Sequence, residues 1–346
     1  MTTDFSRGID ESREFVFAAQ PDDPEMRESV NVWMWDGGTS FGMPRIGVEA
    51  VGDQWETHDI QVNIALDDGR VFNLLGPGKT HPAFGDDGRP RILGAGPLSF
   101  ELIEPFRHWR CRLSGEVVET SVQAQTEGWM PGADGPRQPV DLEVEVRSAV
   151  PAVEWGTLRE EASQVLATQE EGDLMGGPRY EQLFRATGHL KVANEDFELN
   201  GGGLRIRRQG IRRMASFRGH VWQSTVFPSG RAFGLCVYPP RTDGKPTFNE
   251  AFIYEGEGGE MTPATVVEAP WLRQLRARGE DVSVVLETER GRTTIGGTTV
   301  LPTFMDMGPV GIPFQLQQAI VRYTLDGETA NGMLERSSAP EQLNPS

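Results

Sequence analysis

Along most of this chain apolar side chains fall at every second residue, a spacing that lines one face of a strand and cannot line one face of a helix. Ile60, Val62, Ile64 and Leu66 form one such run, and Leu142, Val144 and Val146 another, with polar residues between them. Turn-forming pairs interrupt the runs at short intervals: Asp68-Gly69, Asp87-Gly88, Asp134-Gly135, Asp243-Gly244 and Asp326-Gly327. Connections this short join antiparallel neighbours, so the pattern predicts meanders closing into sandwiches or barrels rather than βαβ units. Helices are expected only near 157–169, 270–278 and 313–319.

A chain of 346 residues exceeds what one core usually organises. With 17 Phe and 8 Trp it has enough large apolar side chains to fill two. The acidic stretch Glu170-Glu171-Gly172-Asp173, followed by Gly177-Pro178, places the division at residue 172. The expected fold is all-β: an N-terminal antiparallel β-barrel over 1–172 and a C-terminal one over 173–346, with few short helices and a solvated polar tail from Ser337.

Acidic residues outnumber basic ones by 51 to 33, for a net charge of −18 that repels a phosphate backbone. The run Arg205 to Arg213 is basic, but it lies in one strand-like segment without a nucleic-acid motif, so nucleic acid is not an expected partner. Cys111 and Cys236 read as core thiols. The N-terminus has neither the basic residues nor the apolar run of a signal peptide, and no stretch is long enough to span a membrane, so a cytoplasmic location is expected.

The motifs that would bring in a cofactor are incomplete. Gly78-Lys79-Thr80 has Asn73 where a phosphate loop needs glycine. Gly201-Gly202-Gly203 leads into a strand and reads as a hairpin turn. His58, His81, His108, His189 and His220 include no metal-binding pair. Gly38-Thr39-Ser40-Phe41-Gly42 matches a nucleophile-elbow spacing, but a proline and more strand follow it, so it reads as a turn. No metal, nucleotide or flavin is therefore expected. The expected partner is an apolar small molecule, with a homodimer left open.

The segment Arg218-Gly219-His220-Val221-Trp222-Gln223 stands out. His220 and Trp222 lie two apart, so on a strand they share a face, a proton carrier beside an aromatic surface, expected to line the cavity of the second barrel.

Several short motifs resemble proteins related to carotenoid 1,2-hydratase and the AttH-like group. These are Glu28 to Asp36, Arg45-Ile46-Gly47, Tyr180-Glu181-Gln182, Gly188, the stretch from Gly203 to Arg212, His220-Val221-Trp222 and Asn331 to Glu335. The resemblance implies two lipocalin-like (calycin) barrels in tandem with a cavity in or between them. It also implies large apolar ligands such as isoprenoid polyenes or polyketide chains. Where relatives carry an R-D-H-S-W-G-x-R-like run, this chain reads Arg205-Ile206-Arg207-Arg208-Gln209-Gly210-Ile211-Arg212, so that acid and histidine do not carry over.

Function is expected to be cofactor-independent hydration, dehydration or isomerisation (a lyase or isomerase) of an unsaturated, terpenoid-like molecule, with a pericyclase-type cyclase or a non-catalytic lipid carrier as alternatives. Protonating an alkene needs an acid, an aromatic face for the cation and a base for the water proton. Asp36 or Glu335 is the candidate acid, His220 the base and Tyr254 a hydrogen-bond donor. Trp33, Trp35, Trp222, Phe217, Arg205 and Arg212 are candidate substrate contacts.

Overall fold

The computed structural model describes residues 3–130, 135–175, 177–213, 217–308 and 311–343. Asp134 of one expected turn lies outside them. The first sheet comprises β1 (Arg27–Asp36), β2 (Phe41–Val51), β3 (Thr57–Leu66), β4 (Arg70–Lys79), β5 (Ile92–Ala95), β6 (Leu98–Glu104), β7 (His108–Ser121), β8 (Arg137–Ser148), β9 (Arg179–Val192) and β10 (Glu195–Gly210). Its strands run β4-β3-β2-β1-β10-β9-β8-β7-β6-β5, and the end of β7 also pairs with β4, which closes eight of them into a ring. The second sheet is a closed antiparallel barrel of β11 (His220–Val226), β12 (Ala232–Val237), β13 (Asn249–Tyr254), β14 (Met261–Glu268), β15 (Val284–Thr288), β16 (Gly291–Asp306), β17 (Gln315–Leu325) and β18 (Glu328–Ser338). The all-β, two-barrel expectation holds, and the runs at β3 and β8 point into the first barrel as their alternation requires.

The chain passes between barrels later than expected. β9 and β10 pair with β8 and β1, so the change of sheet falls between Gly210 and His220 rather than at 172. Residue 172 lies instead within the short helix α3 (Gln169–Met175), which follows α1 (Val122–Thr126) and α2 (Glu160–Leu166). The acidic residues there are not a loop signal: Glu171 is buried, pairs with Arg218 and accepts from the Phe248 amide at 3.3 Å, tying α3 to the second barrel. Residues 270–278 form no helix, and 315–319 begin β17. The C-terminal tail starts later than expected, because Ser337 and Ser338 are buried in β18.

Gly201–Gly203 is not a turn. It lies within β10 opposite Trp35, Met34 and Phe184 to Ala186, and a Cβ on Gly201 would sit 1.9 Å from the Trp35 carbonyl. Glycine is needed there for close backbone approach.

Large buried clusters separate by strand face. Val30, Val32 and Met34 of β1 join the interior of the first barrel, and Val221, Leu235 and Leu334 fill the second. The intervening residues of the same strands form a third cluster between the barrels, uniting Trp33, Trp35, Leu183, Leu204 and Ile206 with Trp222, Phe252, Ile320 and Met333. Polar side chains cross the same seam: Asn63 donates to Gln318 Oε1 at 2.9 Å, and Gln125 accepts from the Phe304 amide at 3.1 Å. Among the described residues no helix is long and apolar enough to cross a membrane, and no group of three or more His, Cys, Asp or Glu is placed to hold a metal ion.

Candidate functional site

Strand register assembles the site. β11 and β18 are antiparallel, with His220 opposite Ser337 and Trp222 opposite Glu335. Because side chains alternate, all four project from the same outer face of the second barrel, toward the first. The expectation that His220 and Trp222 line the interior of the second barrel is therefore corrected: Val221 points inward, and this pair points into the seam.

His220 Nε2 lies 3.1 Å from Glu335 Oε1, and its Nδ1 lies 2.8 Å from Ser337 Oγ. Burial pushes the Glu335 carboxyl up, but the His220 hydrogen bond, the charges of Arg45 and His220 and the Gln318 amide outweigh it and hold it at about 2. An ionised carboxylate only accepts, so the Nε2 proton donates to Glu335, and in the neutral ring Nδ1 accepts from the Ser337 hydroxyl. Gln318 Nε2 donates to Glu335 at 2.6 Å, and Arg45 of the first barrel approaches at 3.4 Å. Glu335 thus stands as the ionised hydrogen-bond partner of His220.

Behind this line, Trp222 meets Trp33 edge to face, with ring centroids 4.9 Å apart. Its indole N–H donates to Glu181 Oε2 at 3.0 Å, and Arg179 donates to the other oxygen at 2.8 Å. Burial pushes Glu181 up to about 7 against the pull of Arg179 and the indole.

Two pockets meet at His220. The inner one is narrow and is lined by Arg45, Arg179, Ile206, Arg208, Arg212, Trp222 and Tyr238 among others. The outer one is wider, has an apolar wall of Met305, Met307, Ile312, Phe314 and Leu316, and reaches Ser337. Arg45, Glu49, Arg212, Phe217, His220 and Glu335 border both. Phe217 packs against His220 at 5.7 Å and Phe314 at 4.8 Å, forming the lip between them.

The structure thus brings together His220, Glu335, Trp222, Phe217 and Arg212, and it places the other five candidates outside both pockets. Asp36 caps the turn after β1, accepting from the Gly38 and Asn200 amides at 2.8 and 3.2 Å. Tyr254 and Trp35 are packed in the seam but border neither pocket. Arg205 points into the first barrel, where it pairs with buried Glu14, itself bound by the Tyr180 hydroxyl. Trp33 backs Trp222 rather than lining the pockets. Ser337 was missed, and its signal was the two-residue spacing from Glu335 on a strand.

Residues 11–340 match the family model described as Domain of unknown function (DUF7064). No curated protein matches the chain. Among solved structures it is similar to a Nitrosomonas europaea protein provisionally assigned as AttH, at 15% identity over 90% of this chain and 92% of that one, with a TM-score of 0.56. Two further similarities are CghA with Sch210972 (12%, 91% and 88%, TM-score 0.49) and kievitone hydratase from Nectria haematococca (8%, 95% and 94%, TM-score 0.46). The first shows a shared fold, and at that level the resemblance to the AttH-like group holds.

Proposed function

We propose that this chain, which belongs to the DUF7064 family, is a cofactor-independent acid–base enzyme that hydrates, dehydrates or isomerises an unsaturated, largely apolar small molecule in the seam between its barrels. One observation carries this reading: the Glu335–His220–Ser337 line opens on a pocket whose far wall is apolar. Ionised Glu335 accepts the Nε2 proton and so fixes the imidazole tautomer, which leaves Nδ1 free to accept a proton. A proton taken from substrate or water reaches Nδ1 directly or through the Ser337 hydroxyl, and the imidazolium returns it to carbon or oxygen. The apolar wall of Phe314, Leu316 and the methionines holds the substrate and excludes water from the transfer.

The position where the resemblance implies an acid is Ile206, which lines the inner pocket. Glu181 sits close behind Trp222, and at about 7 it is poised to exchange a proton near neutral pH.

The test begins with native mass spectrometry of freshly purified protein to identify a retained ligand. That ligand is then incubated with enzyme in D2O. Deuterium incorporation, or gain or loss of the mass of water, that depends on His220 supports the reading. A ligand returned unchanged by wild-type protein contradicts it and leaves a carrier.

A further inference from the structure

The basic run of β10 is divided by strand alternation. Arg205 and Arg207 point into the first barrel, where Glu14 and Glu28 neutralise them. Arg208, and Arg212 just beyond the strand, face the inner pocket with Arg45 and Arg179. Four guanidiniums thus border the pocket, whose own carboxylates are Glu49 and Glu335; Glu181 just behind it neutralises Arg179, and Arg208 donates to the Met175 carbonyl at 3.0 Å. Both carboxylates are engaged, Glu49 by Arg27 and Glu335 by Arg45 and His220.

Arg179 has a side chain only 8% exposed and uses one nitrogen on Glu181, while its buried Nε has no partner among the described residues. The buried Nε of Arg212 likewise has none, and no ion pair of Arg212 is found among the described residues. Burial and the neighbouring Arg179 charge both disfavour the Arg212 cation. Guanidinium does not lose its proton in a protein, so an anion entering the pocket would offset this repulsion.

From this geometry we infer that the inner pocket binds the carboxylate of an amphipathic substrate, held by Arg179 and Arg212, so that its apolar chain runs past His220 into the outer pocket. This rests on the catalytic reading above, and it specifies the substrate class as a long-chain unsaturated acid. The carboxylate end fixes the register of the chain, which places one chosen double bond beside His220 and Ser337. Charge-assisted, forked hydrogen bonds from arginine suit a planar carboxylate, and burial away from water strengthens them.

The probe is cis-parinaric acid compared with its methyl ester, titrated by fluorescence against wild-type protein, Arg212→Gln and His220→Gln. Wild type should bind the acid at least about ten-fold more tightly than the ester, with the preference shrinking in high salt. Arg212→Gln should bring the acid to the level of the ester and leave the ester unchanged. Equal binding of acid and ester by wild type, equal weakening of both by Arg212→Gln, or binding of neither overturns the assignment. His220→Gln should keep the preference for the acid. If it does while wild-type protein moves no proton, the catalytic reading falls and the anion site stands.

Discussion

Trp33 of the first barrel and Trp222 of the second stand edge to face across the seam, their rings 4.9 Å apart and inclined at 69°. The contact joins the two barrels where the inner pocket begins, so cohesion between barrels and the pocket floor depend on the same side chains. Trp222→Ala should cost about 3–5 kcal/mol in chemical denaturation, the range for deleting a buried indole. Trp222→Phe should keep the ring contact but strip Glu181 of a donor, at about 1–3 kcal/mol. Equal stability of the phenylalanine variant and wild type would contradict this hydrogen bond's role.

Burial raises Glu181 from 4.5 to about 7 in the folded protein. Between these values the folded state binds more protons than the unfolded one, so stability falls as pH rises, at up to about 1.4 kcal/mol per pH unit. Glu335 moves the opposite way, to about 2, and its contribution is lost only as pH falls from 4.5 toward that value. Thermal melts between pH 5 and 7 should therefore show wild-type protein weakening and Glu181→Gln weakening less. Parallel profiles for the two proteins would place the burden elsewhere.

Removing Ser337 separates binding from proton transfer. Ser337→Ala should fold and bind ligand as wild type does, yet slow ligand-dependent deuterium exchange, and His220→Gln should slow it by about 10²–10⁴. Unaltered exchange in Ser337→Ala would leave His220 acting directly on substrate.

Arg205 serves the first barrel rather than the site. Breaking its buried pair by Glu14→Ala should cost about 3–5 kcal/mol, measured by denaturant unfolding, because it strands a guanidinium. The refolded variant should bind ligand with wild-type affinity. A selective loss of binding would return Arg205 to the pocket.

Much of this was legible in the chain. The alternation at β3 and β8 marks strands with one buried face, and the shared face of His220 and Trp222 follows from their spacing. Which side of the barrel that face belongs to did not follow. β1 is buried on both sides, with Val30, Val32 and Met34 inside the barrel and Trp33 and Trp35 in the seam, so its stretch from Val32 to Trp35 is an unbroken apolar run that carries no direction. The division at 172 failed for a related reason: the strands that close the first ring, β9 and β10, come after the helices, and pairing over so long a separation leaves no local trace. Arg205 and Arg212 look alike as residues, and only the partners supplied by Glu14 distinguish a structural cation from one facing a pocket.

The most direct test is a crystal structure of the protein with its retained ligand. Density is expected in the seam, against Phe217, His220 and Trp222, with the chain reaching Phe314 and the polar end toward Arg212. Ligand enclosed within either barrel, with the seam vacant, would contradict the assignment of chemistry to the Glu335–His220–Ser337 line.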